Sequence, residues 1–205
     1  MLRVGLTGGV ACGKSTVGQA LAARGAHFLQ ADTLAHRLYE PGEPVYHAIV
    51  DRFGRGILND GGTINRARLA NVAFPDRIGE LNAIVHPAVV EAQNRWMQEC
   101  QQSDPRGIAI VEAALLIEAG AAKDFDKIVV IKCNTDQKIA RYAERVKISI
   151  EDAAKEVARR SAAQFTDEQK AERADFVIDN SQSFAETERQ VQNVWTQLTR
   201  YAAEH

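Results

Sequence analysis

The sequence is poor in cysteine, and the few it has form no pattern that binds or crosslinks. Cys12, Cys100 and Cys133 are the three in a chain of 205 residues. Odd in number and far apart, they argue against a disulfide framework and for a reducing compartment. With no C-x-x-C pair and no Cys/His cluster, a zinc site is not expected. Net charge is also scarce: 25 basic against 27 acidic side chains leave −2. Non-specific nucleic-acid binding is therefore not expected, and an anionic ligand must be met by local positive groups. No apolar run approaches the length of a membrane span, and the first residues lack a charged leader with an apolar core. The expectation is a cytoplasmic protein without membrane or nucleic-acid contacts and with no evident need of an obligatory protein partner. Repeats, low-complexity tracts and Pro/Ser linkers are absent too, and the length suits one well-buried core with a small inserted subdomain.

What the chain does have is concentrated at its start. An apolar run, Val4 to Leu6, leads into Thr7-Gly8-Gly9-Val10-Ala11-Cys12-Gly13-Lys14-Ser15-Thr16, which fits G-x-x-x-x-G-K-[ST] with Gly8, Gly13, Lys14 and Ser15 at the fixed positions. Such a loop holds phosphates on backbone N–H groups that converge on a helix N-terminus, so a strand must precede it and a helix must follow. Arg3 to Thr7 is β-branched and apolar enough for a buried parallel strand. Ser15 to Arg24 carries Val17, Leu21 and Ala22 at helical spacing before Gly25. Lys14 supplies a mobile point charge for the outer phosphates, and the Ser15 hydroxyl can ligate Mg²⁺. Gly8, Gly9, Ala11, Cys12, Gly13, Lys14, Ser15 and Thr16 are the expected nucleotide contacts, with Cys12 a small filler.

Further along, Ala26–Gln30, Gly107–Glu112, Lys127–Lys132 and Phe176–Asp179 read as four more strands, and Phe184–Ala203 as a closing helix. Asp32 stands where the second strand ends, either as the N-cap of a helix from Thr33 to Tyr39 or as a functional carboxylate; the two roles are compatible. From Val45 to Cys100 only helices are legible: Val45–Phe53, Arg66–Ala73, Arg77–Val85 and Ala88–Cys100. His86-Pro87 falls at the start of the last, where proline fits the first turn. This block suits an acceptor-binding wall over the carboxyl edge of the sheet. Glu112, delivered to that edge by a hydrophobic strand, suits a Mg²⁺-holding carboxylate. Leu115-Leu116-Ile117-Glu118 reads as apolar packing with an acidic end, Glu118 being either a solvated helix residue or a site residue. Thr135 to Ser161 reads as two helical stretches rich in arginine, with Ser149-Ile150-Glu151-Asp152 resembling a capped start, and residues 138–173 are mixed in charge. They form either a salt-bridged solvent face or a mobile lid, in which Arg141 and Arg145, four apart, reach a phosphate together. The fold class expected is α/β, a P-loop nucleoside-triphosphate-hydrolase-like three-layer fold on a five-stranded parallel sheet. Its core spans 1–34, 105–134 and 174–205, the helical insert 35–104 and the lid 135–173.

Taken together, the Gly5–Val10 run into Gly13-Lys14-Ser15-Thr16, then Ala31-Asp32, His86-Pro87, Glu112 to Glu118, Arg160 with Gln164, and Ala174 to Asn180 resemble the dephospho-coenzyme A kinase family over nearly the whole chain. The resemblance implies transfer of the ATP γ-phosphate to the ribose 3′-hydroxyl of dephospho-coenzyme A. It implies a loop that holds ATP with Mg²⁺, Asp32 as the base for the hydroxyl, and Lys14, Arg141 and Arg145 on the phosphates. Asn180 would lie near the adenine, with His86, Pro87 and Leu115 on the acceptor side. The chain departs from the family pattern at Glu112, where aspartate is usual, at Ala114 for proline and Ile117 for an aromatic. Gln30 stands where an acidic residue is common, and Cys12 where serine is. Another P-loop kinase, for a nucleoside monophosphate or a small metabolite, would share the loop and the lid but not need the other elements. A GTPase-like switch would carry N-K-x-D after the fourth strand, where Cys133-Asn134-Thr135-Asp136 lacks the lysine, so the nucleotide expected is ATP.

Overall fold

The computed structural model describes residues 1–204. In chain order the elements are β1 (Leu2–Gly8), α1 (Lys14–Ala22), β2 (His27–Gln30), α2 (Ala31–Arg37), α3 (Pro44–Phe53), α4 (Arg66–Ala73), α5 (Ile78–Ser103) and β3 (Ile108–Glu112). There follow β4 (Lys127–Lys132), α6 (Thr135–Val146), α7 (Ile150–Ser161), α8 (Asp167–Ala171), β5 (Phe176–Asp179) and α9 (Phe184–Glu204). The chain divides into two compact units, one made of residues 1–30 and 100–205 and the other of 31–99. The insert expected at 35–104 overlaps the second.

In the first unit the five strands are parallel in the order β2-β3-β1-β4-β5. Strands of such a sheet are covered on both faces, which explains why β3 and the middle of β4 are continuous Ile/Val/Ala runs rather than alternating ones. The period of two is still visible in what each residue meets. Val129 and Ile131 join Val4, Leu6, Ile108, Ile110 and Ile178 in a core closed by Val17 and Leu21 of α1 and Val191, Val194 and Leu198 of α9. Ile128 and Val130, one residue out of phase, pack instead on Leu116, Ile117 and Phe125. Each side chain buried there contributes about 1.5–3 kcal/mol. The strand order reverses at β1, so the loop after β1 lies at the topological switch point, where doubly wound sheets bind ligands.

Residues 135–173 form three helices, each started by a side-chain cap. Asn134 accepts from Gln137 N, Ser149 from Asp152 N, and Thr166 with Gln169 forms a reciprocal capping box. The third, α8, was not expected from the sequence.

The second unit has its own core, in which Val45, Ile49 and Phe53 of α3 follow a four-residue spacing and meet Ile57, Ile64, Leu69 and Ala73. Two expectations fail here. His86-Pro87 does not begin a helix: Pro87 lies inside α5, a single helix of 26 residues. An interior proline costs about 3 kcal/mol. The apolar stripe Leu81, Ile84, Val85 and Ala88 runs through it at helical spacing and packs on this core, and its burial outweighs the missing hydrogen bond. Asp32 is likewise not an N-cap. Helix α2 begins at Ala31, so Asp32 sits inside the first turn, exposed to solvent, where a carboxylate meets the positive end of the helix dipole but caps nothing.

Candidate functional site

The loop between β1 and α1 owes its shape to two glycines. A side chain on Gly8 would lie 2.2 Å from the carbonyl oxygen of Ile131, so only glycine lets β1 end against β4. Gly13 is left-handed (φ 92°) and precedes α1; a Cβ there would lie 2.2 Å from Asn180 Nδ2. That space lets Asn180, buried at the end of β5, donate to the carbonyl of Cys12 at 2.8 Å, while Thr187 donates to its Oδ1. No side chain caps α1. The N–H groups of its first turn therefore face the loop uncapped, as an anion requires.

Lys14 folds back over the loop and donates to the carbonyls of Gly9 at 2.9 Å and Gly8 at 3.2 Å. Ser15 donates its hydroxyl to Glu112 Oε1 at 2.9 Å, and Gln30 donates its amide to Glu112 Oε2 at 2.8 Å. Sheet register produces the second contact, since Gln30 and Glu112 are partners across β2 and β3. Glu112, only 9 % exposed, thus has one oxygen on the phosphate loop's serine and the other on an amide. Its extra methylene, compared with aspartate, does not keep it from Ser15. Cys12 is fully buried, and burial raises its thiol pKa although Lys14 works the other way. The side chain fills space beneath the loop as a buried thiol.

The two arginines expected to act together are separated. Arg141 lies at the loop, with Nη1 donating to Cys133 Sγ at 3.3 Å and to the Cys12 carbonyl at 3.5 Å, and Nη2 donating to the Asn180 carbonyl at 3.1 Å. Arg145 is exposed and stacks over the Tyr142 ring at 5.2 Å, a ring that Arg160 also covers at 5.4 Å. Helices α6 and α7 nevertheless touch the loop directly, because Tyr142, Ala143, Ala153 and Val157 pack on Val10.

Leu115 is exposed after β3, while Leu116 and Ile117 are buried beneath it. Glu118 is not a solvated residue. Its Oε1 accepts from the Phe165 N–H at 2.9 Å and pairs at 3.0 Å with Lys170, a lysine with no exposed surface that also donates to the Ala114 carbonyl. Sequence reasoning missed this pair, and it missed Lys138 with Asp167, described below. Only the Thr166-x-x-Gln169 capping box was a signal for α8, the helix that carries Asp167 and Lys170. In the second unit, Asp32 makes no hydrogen bond among the described residues, and its charge acts on His36. His86 and Pro87 lie with Val90, Glu91, Asn94, Arg95 and Gln98 on one face of α5, lining a hollow of about 630 Å³.

A model of the dephospho-CoA kinase family matches residues 2–186. Proteins named dephospho-CoA kinase are similar along nearly the full chain. The one from Geobacter metallireducens is 42 % identical over 95 % of this chain and 96 % of its own. That from Aquifex aeolicus is 39 % identical, with 98 % and 99 % covered. A crystal structure of a Thermus thermophilus protein superposes with a TM-score of 0.76 at 29 % identity, covering 96 % of this chain and 97 % of that one. The dephospho-CoA kinase of Campylobacter jejuni shares the fold with a TM-score of 0.70 at 24 % identity, with 97 % of each chain covered.

Proposed function

The chain belongs to the dephospho-CoA kinase family, and from that premise we propose how its own residues divide the work. The protein is an ATP-dependent kinase that transfers the γ-phosphate to the ribose 3′-hydroxyl of dephospho-coenzyme A, giving coenzyme A and ADP. The observation that carries the site assignment is the contact of Ser15 with the buried Glu112 beneath an uncapped helix start, beside the Lys14 ammonium.

Our reading has the loop residues Gly8, Gly9 and Ala11 to Thr16 hold the phosphates of ATP by backbone N–H groups and the Lys14 charge, with Asn180 on the adenine side. The donor set at Ser15 and Glu112, one hydroxyl and one carboxylate, fits Mg²⁺, a hard ion usually held by one or two such groups plus phosphate and water oxygens. When bound, the ion would supply neutralisation of developing charge on the phosphates. Gln30 keeps the Glu112 carboxylate facing Ser15. Arg141 is in reach of the loop and is the lid arginine assigned to the transferring group. Arg145 is assigned there only through movement of α6 and α7. His86, Pro87 and Leu115 are assigned to the acceptor, on the exposed face of α5 and the exposed apolar tip after β3. None of the three cysteines is in a disulfide, which suits a cytoplasmic enzyme. Among the described residues no helix is long and apolar enough to cross a membrane.

Asp32 is assigned as the base that orients the ribose hydroxyl and takes its proton. Because it caps no helix, the substitution Asp32→Asn removes the base without removing a structural bond. Thermal stability and ATP affinity are expected to stay near wild type, while coenzyme A formation, followed by mass, falls at least about a hundredfold. A fully active Asn variant would move the base elsewhere. Incubation with ATP, Mg²⁺ and dephospho-coenzyme A tests the assignment of the loop: Lys14→Ala should keep the fold by circular dichroism and lose nearly all ADP release. Near-normal turnover in that variant would remove the loop from the phosphate site.

A further inference from the structure

Three charged groups converge on Gly9. The Lys14 ammonium is 2.9 Å from its carbonyl. On the other side, Lys138 Nζ is 3.0 Å and Asp167 Oδ1 2.9 Å from the point that a side chain on Gly9 would occupy. Lys138 and Asp167 pair with each other at 2.6 Å, with only 12 % and 13 % of their side chains exposed. The placement is built from both sides. Asn134 caps α6 so that Lys138 falls in its first turns, and Thr166 caps α8 so that Asp167 is its first residue, where it also accepts from the Cys133 N–H at 3.3 Å. Beside the pair, a hollow of about 610 Å³, lined by Gly9, Lys138, Gln164, Phe165 and Asp167 among others, gives the lysine room to turn.

A largely desolvated ion pair is a poor means of stabilising a fold, since an apolar pair of the same size does as well or better. This one faces the loop that we assign to phosphates. A polyphosphate on that loop would set several negative charges beside Asp167, which repels them, and beside Lys138, which attracts them. A lysine is suited to such an exchange because its charge is compact, its stem flexible and its three donors free to rotate. We propose that Lys138 is a phosphate-binding residue of this kinase, held beside Gly9 by Asp167 in the empty enzyme and transferred to the polyphosphate when nucleotide binds. The inference rests on the reading of Gly8 to Thr16 as the phosphate site.

Calorimetric titration of ATP, ADP and AMP separates the possibilities. Lys138→Met keeps the stem and removes the charge. It should weaken ATP about tenfold and leave AMP unchanged, the size of one lost charge-assisted hydrogen bond. Asp167→Asn keeps an acceptor for the Cys133 N–H and frees the lysine, so ATP should bind about threefold tighter or more. The double variant leaves no stranded carboxylate. It should lose the gain of Asp167→Asn, and comparing the two reads the lysine alone even if Lys138→Met is poorly folded. Equal ATP affinity in Asp167→Asn and in the double variant would overturn the proposal. So would an Asp167→Asn variant, folded by its melting curve, that binds ATP more weakly than wild type. Lys14→Ala is the control. If it too binds ATP normally, the phosphate-site reading fails; if it loses ATP while the double variant matches Asp167→Asn, only the role of Lys138 does.

Discussion

Residues 135–173 have two sides with nearly the same composition and different environments. On the side turned to the loop and to the segment after β3 lie Arg141, Lys138 with Asp167, and Lys170 with Glu118, and the lysines and acids there are almost out of water. On the outer side Glu156 takes Arg159 and Arg160, both well exposed, at 2.7 Å, and Lys155 takes Glu151. In the sequence these are one run of alternating charge. The difference teaches that a charge gains consequence from what has been removed around it: water screens the outer pairs, while the inner ones rely on each other or on the backbone.

The largest effect that sharpens this contrast is expected at Lys170. Replacing it by alanine strands Glu118 in a buried place, where it already has one oxygen without a hydrogen-bond partner, and should lower stability by about 3–5 kcal/mol. Chemical denaturation measures it. Lys170→Met combined with Glu118→Leu should recover most of the loss, because no charge remains to be compensated. A single variant as stable as wild type would put the inner pair on a level with the outer ones.

Next in size is the pair of arginines. Arg141→Lys keeps the charge but loses the planar fork that joins the Asn180 and Cys12 carbonyls and the Cys133 sulfur, and turnover should drop roughly tenfold or more, with ATP affinity less changed. Arg145→Lys, with only a ring beneath it, should lose less than Arg141→Lys in the same steady-state assay. Equal losses would show that α6 moves during the cycle and brings both to the phosphate, and would erase the boundary drawn between the two sides.

The smallest effect is on the outer face. Arg159 and Arg160 lower the pKa of Glu156 to about 2 from its ordinary 4.5. A carboxylate whose pKa falls on folding stabilises above its unfolded value and loses that contribution as the pH drops through the folded one. The gap between wild type and Glu156→Gln should therefore be present at neutral pH and close between pH 4.5 and pH 2. Exposed arginines make it small, about 1 °C or less in melting temperature. Differential scanning across that range reads it, and a gap of several degrees would mean that the outer pairs are not screened.

Much of the fold was legible because it depends on periodicities along the chain. The β4 bounds, Lys127–Lys132, and the α4 bounds, Arg66–Ala73, follow directly from apolar spacing and breakers. The loop from Gly8 to Ser15 follows from residue types that only a phosphate site needs together. Pro87 misled because its local cost was visible and the stripe from Leu81 to Ala88 that outweighs it was read in two halves. Of the two readings open for Asp32, the cap fell away because a shift of one or two residues in a helix start, here to Ala31, changes a cap into a first-turn residue.

By itself, then, the sequence determined the parallel α/β class, the five strands in chain order, the glycine-rich loop between β1 and α1, and the delivery of Glu112 to the end of β3, since each is local in the chain. Tertiary structure alone decided which charges meet. Gln30 reaches Glu112 through strand register, Arg141 reaches the Cys12 carbonyl 129 positions away, and Lys170 disappears beneath Ala114. Such encounters depend on which elements pack together and on how much water they expel, and neither quantity is written in the spacing of residues along a single segment.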